Sequence, residues 1–156
     1  MLEPIEVVKQ LQEMRESGYL SDAILREAVK SIKAADPRFE WVGVYLLNPD
    51  EQVLWLHNYL GESAEHARIA VGEGISGSAV AEKKNQNVPD VSAIEDNLAC
   101  SPDAVSELVV LIRAGDEILG EVNTDSHRKG AFTPEDEDAI QTIADKLAEV
   151  IMAERR

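Results

Sequence analysis

The spacing of apolar residues changes several times along the chain, and each change predicts a change of structure. Ile5, Val8, Leu11 and Met14 recur at helical spacing behind Pro4, which suits a first helical position, so residues 4 to 17 read as an amphipathic helix ahead of Gly18. A second stripe of Ile24, Leu25, Ala28, Val29 and Ile32 follows Ser21, a residue able to cap a helix start. Asp36-Pro37 stops that stripe, because the residue ahead of a proline avoids helical geometry. From Phe39 to Leu47 the period falls to two, with Phe39, Trp41, Gly43, Tyr45 and Leu47 on one face and Val42, Val44 and Leu46 on the other. A strand apolar on both faces needs cover on both, which predicts helices behind it and something else in front.

Asn48-Pro49-Asp50-Glu51 reads as a turn and Gln52 to Leu60 as the returning strand. Arg68 to Val71 is a short strand, followed by glycines at 72, 74 and 77, a small-residue helix around Ser78 to Lys83, and another short strand at Asn87 to Pro89. Residues 90–105 carry little periodicity, and a connection of that length predicts a binding loop or lid, with Cys100 inside it. A second hairpin, Ser106 to Arg113 and Glu117 to Thr124, turns at Ala114-Gly115-Asp116 and holds the unbroken apolar run Leu108 to Ile112. Thr133 caps a last helix with Pro134 at its first position and acids at 135–138, where the helix dipole favours negative charge. Its stripe is Ile140, Ile143, Leu147, Val150 and Ile151, with Glu154-Arg155-Arg156 expected to protrude. The order predicts one domain over 1–156, with helices in 1–36 and sheet, pocket loops and a final helix in 37–156. Its class is α/β of the α+β kind: an antiparallel sheet with terminal helices on one face and a ligand pocket on the other.

Composition narrows the choice of partners. The 30 acidic side chains outnumber the 15 basic ones for a net charge of -15, which repels a phosphate backbone and an anionic lipid surface alike. No apolar run reaches the length of a membrane span, and the start Met1-Leu2-Glu3-Pro4 lacks a secretory pattern. One cysteine excludes an internal disulfide and fits a reducing compartment, so the expected location is cytoplasmic.

Few motifs carry chemistry by themselves. Gly72-Glu73-Gly74-Ile75-Ser76-Gly77 fits the dinucleotide pattern G-x-G-x-x-G, but hairpins on both sides contradict the alternating parallel unit that pattern needs, and the glycines read as a tight turn. His57, His66 and His127 are scattered without metal-ligand spacing, so neither a metal nor another cofactor is expected. Cys100 has no cation beside it to lower its pKa, and Asp96 and Asp103 flank it, whereas Pro102 could start a helical turn that helps a thiolate. Those neighbours read more simply as a loop cysteine than as a nucleophile.

Six segments taken together resemble a GAF domain: Trp41-Val42-Gly43-Val44-Tyr45-Leu46-Leu47, Arg68 to Gly77, Pro89-Asp90-Val91, Leu98-Ala99-Cys100, Ser106 to Val110, and Asp125-Ser126. Among GAF domains the sequence is most similar to the free methionine-R-sulfoxide reductases. The resemblance implies a six-stranded antiparallel sheet, and a catalytic cysteine that is oxidised to a sulfenic acid and restored by thiols. Cys100 falls at the attacking position, while the two companion cysteines fall at His66 and Ser76. Trp41, Tyr45, Glu107 and Asp125 match pocket residues that cradle the substrate, and Asn123 stands where the family has a further acid.

Two readings follow from this pattern. The first is a stand-alone GAF module that binds a small metabolite for sensing or regulation without turnover. The other is a reductase in which Cys100 is the sole catalytic thiol, resolved by thioredoxin or glutathione. The amphipathic chain ends also predict a homodimer through the terminal helices.

Overall fold

Helical spacing at the chain ends and period-two spacing between them become a layer of helices laid on a curled sheet. The computed structural model describes residues 1–64, 66–94 and 103–155. Helices α1 (Pro4–Glu16) and α2 (Ser21–Ala35) lead into strands β1 (Trp41–Asn48), β2 (Val53–Leu60) and β3 (Arg68–Ala70). Helix α3 (Gly74–Glu82) and strand β4 (Gln86–Val88) follow, then a single 3-10 turn at Val91–Ala93. Strands β5 (Ser106–Ala114) and β6 (Glu117–Ser126) and helix α4 (Pro134–Glu154) complete the described elements. The six strands form one sheet in the order β3-β2-β1-β6-β5-β4, every pair antiparallel, as the hairpin pattern predicts.

Alternation divides the apolar residues between two layers. Val42, Val44, Leu108, Val110, Ile112 and Val122 point to the helices and meet the buried stripes of α2 and α4. Trp41, Tyr45, Val109 and Leu111 point the other way, against Ile75, Ala79 and Val80 of α3 and Ile69 of β3. Strands β1 and β5 are thus buried on both faces, which is why neither shows a polar face in its sequence.

Four details of the sequence reading are corrected. Phe39 lies on the helix side, stacked on Phe132 with ring centroids 5.9 Å apart, because a turn that bonds Phe39 N to Asp36 O precedes β1. Ile5 is exposed, and Val7 with Leu11 forms the buried face of α1. Ser21 is not a cap: Leu20 holds that position, and the Ser21 amide donates to the Glu154 carboxylate at 3.3 Å. Glu154 is therefore tied down, as is Arg155 by Glu117 at 2.7 Å, so the tail through 155 does not protrude freely.

The other end signals hold. Thr133 caps α4 in a reciprocal box with Asp136, and Arg38 grips the Asp136 carboxylate with both guanidinium nitrogens at 2.6 and 2.9 Å. The glycine motif is structural, as read. Gly72 sits at φ +95°, and a Cβ on Gly77 would lie 2.4 Å from the Ala70 carbonyl oxygen, so the turn between β3 and α3 admits neither side chain. Among the described residues no helix is long and apolar enough to cross a membrane.

Candidate functional site

Strand register places the predicted pocket residues in successive rows across β1, β6 and β5. Trp41 stands opposite Asp125, and Asp125 opposite Glu107. The next row is Gly43, Asn123 and Val109, and the one after it Tyr45, Glu121 and Leu111. Alternation keeps all three rows on the sheet face turned away from the terminal helices. Trp41, Tyr45, Glu107, Asn123 and Asp125 are thus brought together, and each is at most 1% exposed.

Local sequence fixes the aromatic wall. A Cβ on Gly43 would lie 2.4 Å from Trp41 Cη2, so the indole lies against bare backbone, and it stacks on Tyr59 at 5.5 Å and 13°. Tyr45 donates its hydroxyl hydrogen to the His66 carbonyl at 2.6 Å, which ties β1 to the segment ahead of β3.

The polar floor is fully enclosed. Asn123 Nδ2 donates to Ser76 Oγ at 2.6 Å and to Glu107 Oε2 at 3.1 Å, which joins α3 to β6 and β5. Having accepted from Asn123, the Ser76 hydroxyl keeps its own hydrogen for a neighbouring carboxylate. Burial pushes Glu107 up to about 7, with Asn123 and Ser76 opposing the rise. Burial also lifts Glu121 well above the usual carboxylate range; Ser76 opposes that, the nearby Glu107 adds to it, and Asn123 opposes it weakly. Ser76 and Asn123 approach Glu121 closely enough to favour its charged form, yet neither makes a well-formed hydrogen bond with its oxygens. Trp41 Nε1, Glu107 Oε1, both Glu121 oxygens and Asn123 Oδ1 are buried without hydrogen-bond partners. Buried polar atoms are rarely left so, which makes this face the candidate site.

Sequence reasoning missed Glu121, Ser76 as a hydrogen-bonding residue, and Tyr59. Parity was the available signal for Glu121, since it precedes Asn123 and Asp125 by two and four positions on one strand.

Cys100 lies outside the described residues, as do Asp96 and Pro102 beside it. The chain on either side is anchored at the end of the sheet that bears Glu107 and Asp125. Val91 N donates to Val105 O, and Val105 N to Ser126 O, each at 2.8 Å. Near that end Glu62, Asp103 and His127 bring one potential ligand atom each within 4.8 Å of one another, all exposed, and His127 already pairs with Glu40 at 3.1 Å. Such exposed groupings commonly form without an ion. Clefts on the helical layer, one running between Leu2, Arg38 and Thr133, lie across the sheet from the polar floor, and Arg38 there is already paired with Asp36 and Asp136.

Comparison with known proteins gives a consistent picture. The family model described as GAF domain matches residues 19–152. The free methionine-R-sulfoxide reductase of Escherichia coli K12 is 35% identical over 111 residues, covering 71% of this chain and 66% of that protein. The chain therefore spans just under two thirds of that relative's length. The type II free methionine-R-sulfoxide reductase of Thermoplasma acidophilum superposes with a TM-score of 0.79 at 34% identity, covering 85% of this chain and 93% of the other. The free methionine-R-sulfoxide reductase of Neisseria meningitidis, solved in complex with its substrate, gives 0.87 at 30% identity, covering 97% of this chain and 90% of the other.

Proposed function

This chain belongs to the GAF family, and from that premise we propose that it is a free methionine-(R)-sulfoxide reductase working with one thiol, Cys100, and an external thiol reductant. The observation that carries the reading is the row Trp41, Asp125, Glu107 on a buried face, with Asn123 in the next row, Tyr45 in the one after it and several polar atoms awaiting partners. An apolar wall beside hydrogen-bonding carboxylates suits a short thioether chain ending in a polar S–O group. Glu107, with its pKa raised to about 7, is poised to hold the proton that the sulfoxide oxygen takes up as the S–O bond breaks.

The chemistry balances with one thiol. Cys100 sulfur gives two electrons to the sulfoxide sulfur, the oxygen ends on Cys100 as a sulfenic acid, and methionine leaves. A reductant thiol then forms a mixed disulfide with Cys100 and releases water. A second thiol frees Cys100 and departs in a disulfide with the first. The companion-cysteine positions hold His66 and Ser76, so thioredoxin or glutathione must do the resolving. That requirement agrees with a cytoplasmic location.

The alternative is a module that binds a metabolite for signalling without turnover. Asn123 favours it, since an amide at that position cannot give up or take a proton. Incubation with free methionine-(R)-sulfoxide and thioredoxin or glutathione separates the two readings. The reductase should release methionine over many turnovers and carry an oxidised adduct on Cys100 when reductant is withheld, with Cys100→Ser inert. Absence of methionine release, with a ligand-induced rise in Tm, selects the binding module.

We also propose that two copies pair through the terminal helices, where Ile5 and Leu20 are 71% and 67% exposed. Sedimentation at micromolar concentration should give a dimer that the double change Ile5→Glu, Leu20→Glu dissociates; a wild-type monomer rejects the pairing.

A further inference from the structure

We propose that Glu121 is a ligand-binding residue that makes this pocket select a small molecule carrying a positively charged nitrogen. The proposal rests on the reading of this sheet face as a ligand pocket, and not on turnover at Cys100.

Glu121 is fully buried in the middle of β6, between Tyr45 of β1 and Leu111 of β5 in register, and neither of its oxygens has a hydrogen-bond partner. A leucine or valine at this point in a sheet covered by α3 would pack without penalty. In its charged form, a carboxyl buried there with both oxygens unsatisfied among the described residues is expensive unless a ligand supplies donors.

The balance of unsatisfied atoms says which chemistry is lacking. With both carboxyls ionised, this face leaves four acceptor atoms without partners among the described residues, namely Glu107 Oε1, both Glu121 oxygens and Asn123 Oδ1, against one donor, Trp41 Nε1. No lysine or arginine among the described residues pairs with Glu107 or Glu121. The complement of an acceptor-rich, cation-free floor is a donor-rich group with positive charge, and an ammonium, with three donors and no acceptor, meets that description. Asn123 lacks the charge for this task, and Glu121 two positions earlier supplies it from the same face.

Calorimetric titration of the full chain, without reductant, tests this with L-methionine and L-methionine sulfoxide, each with and without an N-acetyl group. Acetylation removes the ammonium and leaves the rest of the molecule in place. Wild type should bind the free amines at least tenfold more tightly than the acetylated forms. Glu121→Gln should lose that preference while its Tm is equal or higher, which separates a binding role from a folding role. Unchanged amine affinity in Glu121→Gln overturns the assignment and leaves the pocket intact. Acetylated probes that bind as tightly as the amines overturn the cation preference and leave the pocket and its turnover untouched. If no probe binds at millimolar concentration, both this assignment and the pocket reading fall.

Discussion

Gly120→Ala should destabilise the protein by about 3 kcal/mol or more, more than any single change in the pocket, because nothing around the new methyl group can yield. Its Cβ would stand 2.1 Å from the Tyr45 carbonyl oxygen and 3.1 Å from Leu46 Cα, both backbone atoms of the neighbouring central strand. Gly120 pairs with Leu46 on one side and Ile112 on the other, so relief requires opening the β1–β6 ladder within three coupled strands. For a domain of this size each kcal/mol moves Tm by about 2–4 °C, so a melt followed by circular dichroism should drop by at least about 6 °C. Gly43→Ala is the informative contrast. There the obstacle is the far edge of the Trp41 ring, which can swing away, so the loss of stability should be nearer 1–3 kcal/mol while the displaced indole abolishes ligand uptake. A Gly120→Ala protein that melts within 2 °C of wild type contradicts the close approach of β1 and β6.

The contrast between these glycines marks how far sequence alone reaches. The sheet, its hairpins and the helix stripes were legible because each repeats a period set by local geometry, and Thr133 with Pro134 announces α4 by capping chemistry. Five of the six candidate residues, Trp41, Tyr45, Glu107, Asn123 and Asp125, were legible only through resemblance, and register then brought them into adjoining rows. The sixth, Cys100, lies outside the described residues. Phe39 misled because period two was extended through a turn whose bond to Asp36 rotates the chain. Ser21 misled because the partner of the α2 amide is Glu154, far along the chain, and no local rule finds it. Glu121 was passed over for a related reason: between Gly120 and Val122 it looks like the wet position of an alternating strand, and only the return of α3 over the sheet makes it buried. Local rules therefore find elements and miss the charges that the tertiary fold encloses, which are the ones with chemistry left to do.

Those enclosed charges predict an unusual pH profile. Glu107 ionises near its ordinary 4.5 in the unfolded chain and at about 7 when folded, and Glu121 is displaced in the same direction. Between those values the folded state holds protons that the unfolded state has released, so the stability Glu107 contributes is complete below about pH 4.5 and is lost as pH rises through 7, and Glu121 acts in the same sense. At 1.36 kcal/mol per unit of displacement, Glu107 alone accounts for a loss on the order of 3 kcal/mol. On the acid side the sign reverses: Arg38 holds Asp36 down, and Asp136 and Glu40 are also lowered, by Arg38 and the Thr133 amide and by the His127 amide respectively, against their partial burial. Their contribution is present above the ordinary carboxylate range and disappears as pH falls through their lowered values. Tm should therefore peak in the mildly acidic range and decline toward pH 8. Glu121→Leu should remove one buried ionisable group and relieve Glu107 of its neighbour, raising Tm at pH 8 by roughly 4 °C or more and flattening the alkaline decline, with little change at pH 5. A wild-type Tm that is flat from pH 5 to 8, or a Glu121→Leu chain that melts lower than wild type at pH 8, contradicts the two buried carboxyl groups as the source. A bound ammonium should have the same flattening effect on wild type, because a cation beside the pair lets both carboxyls ionise without leaving either charge alone.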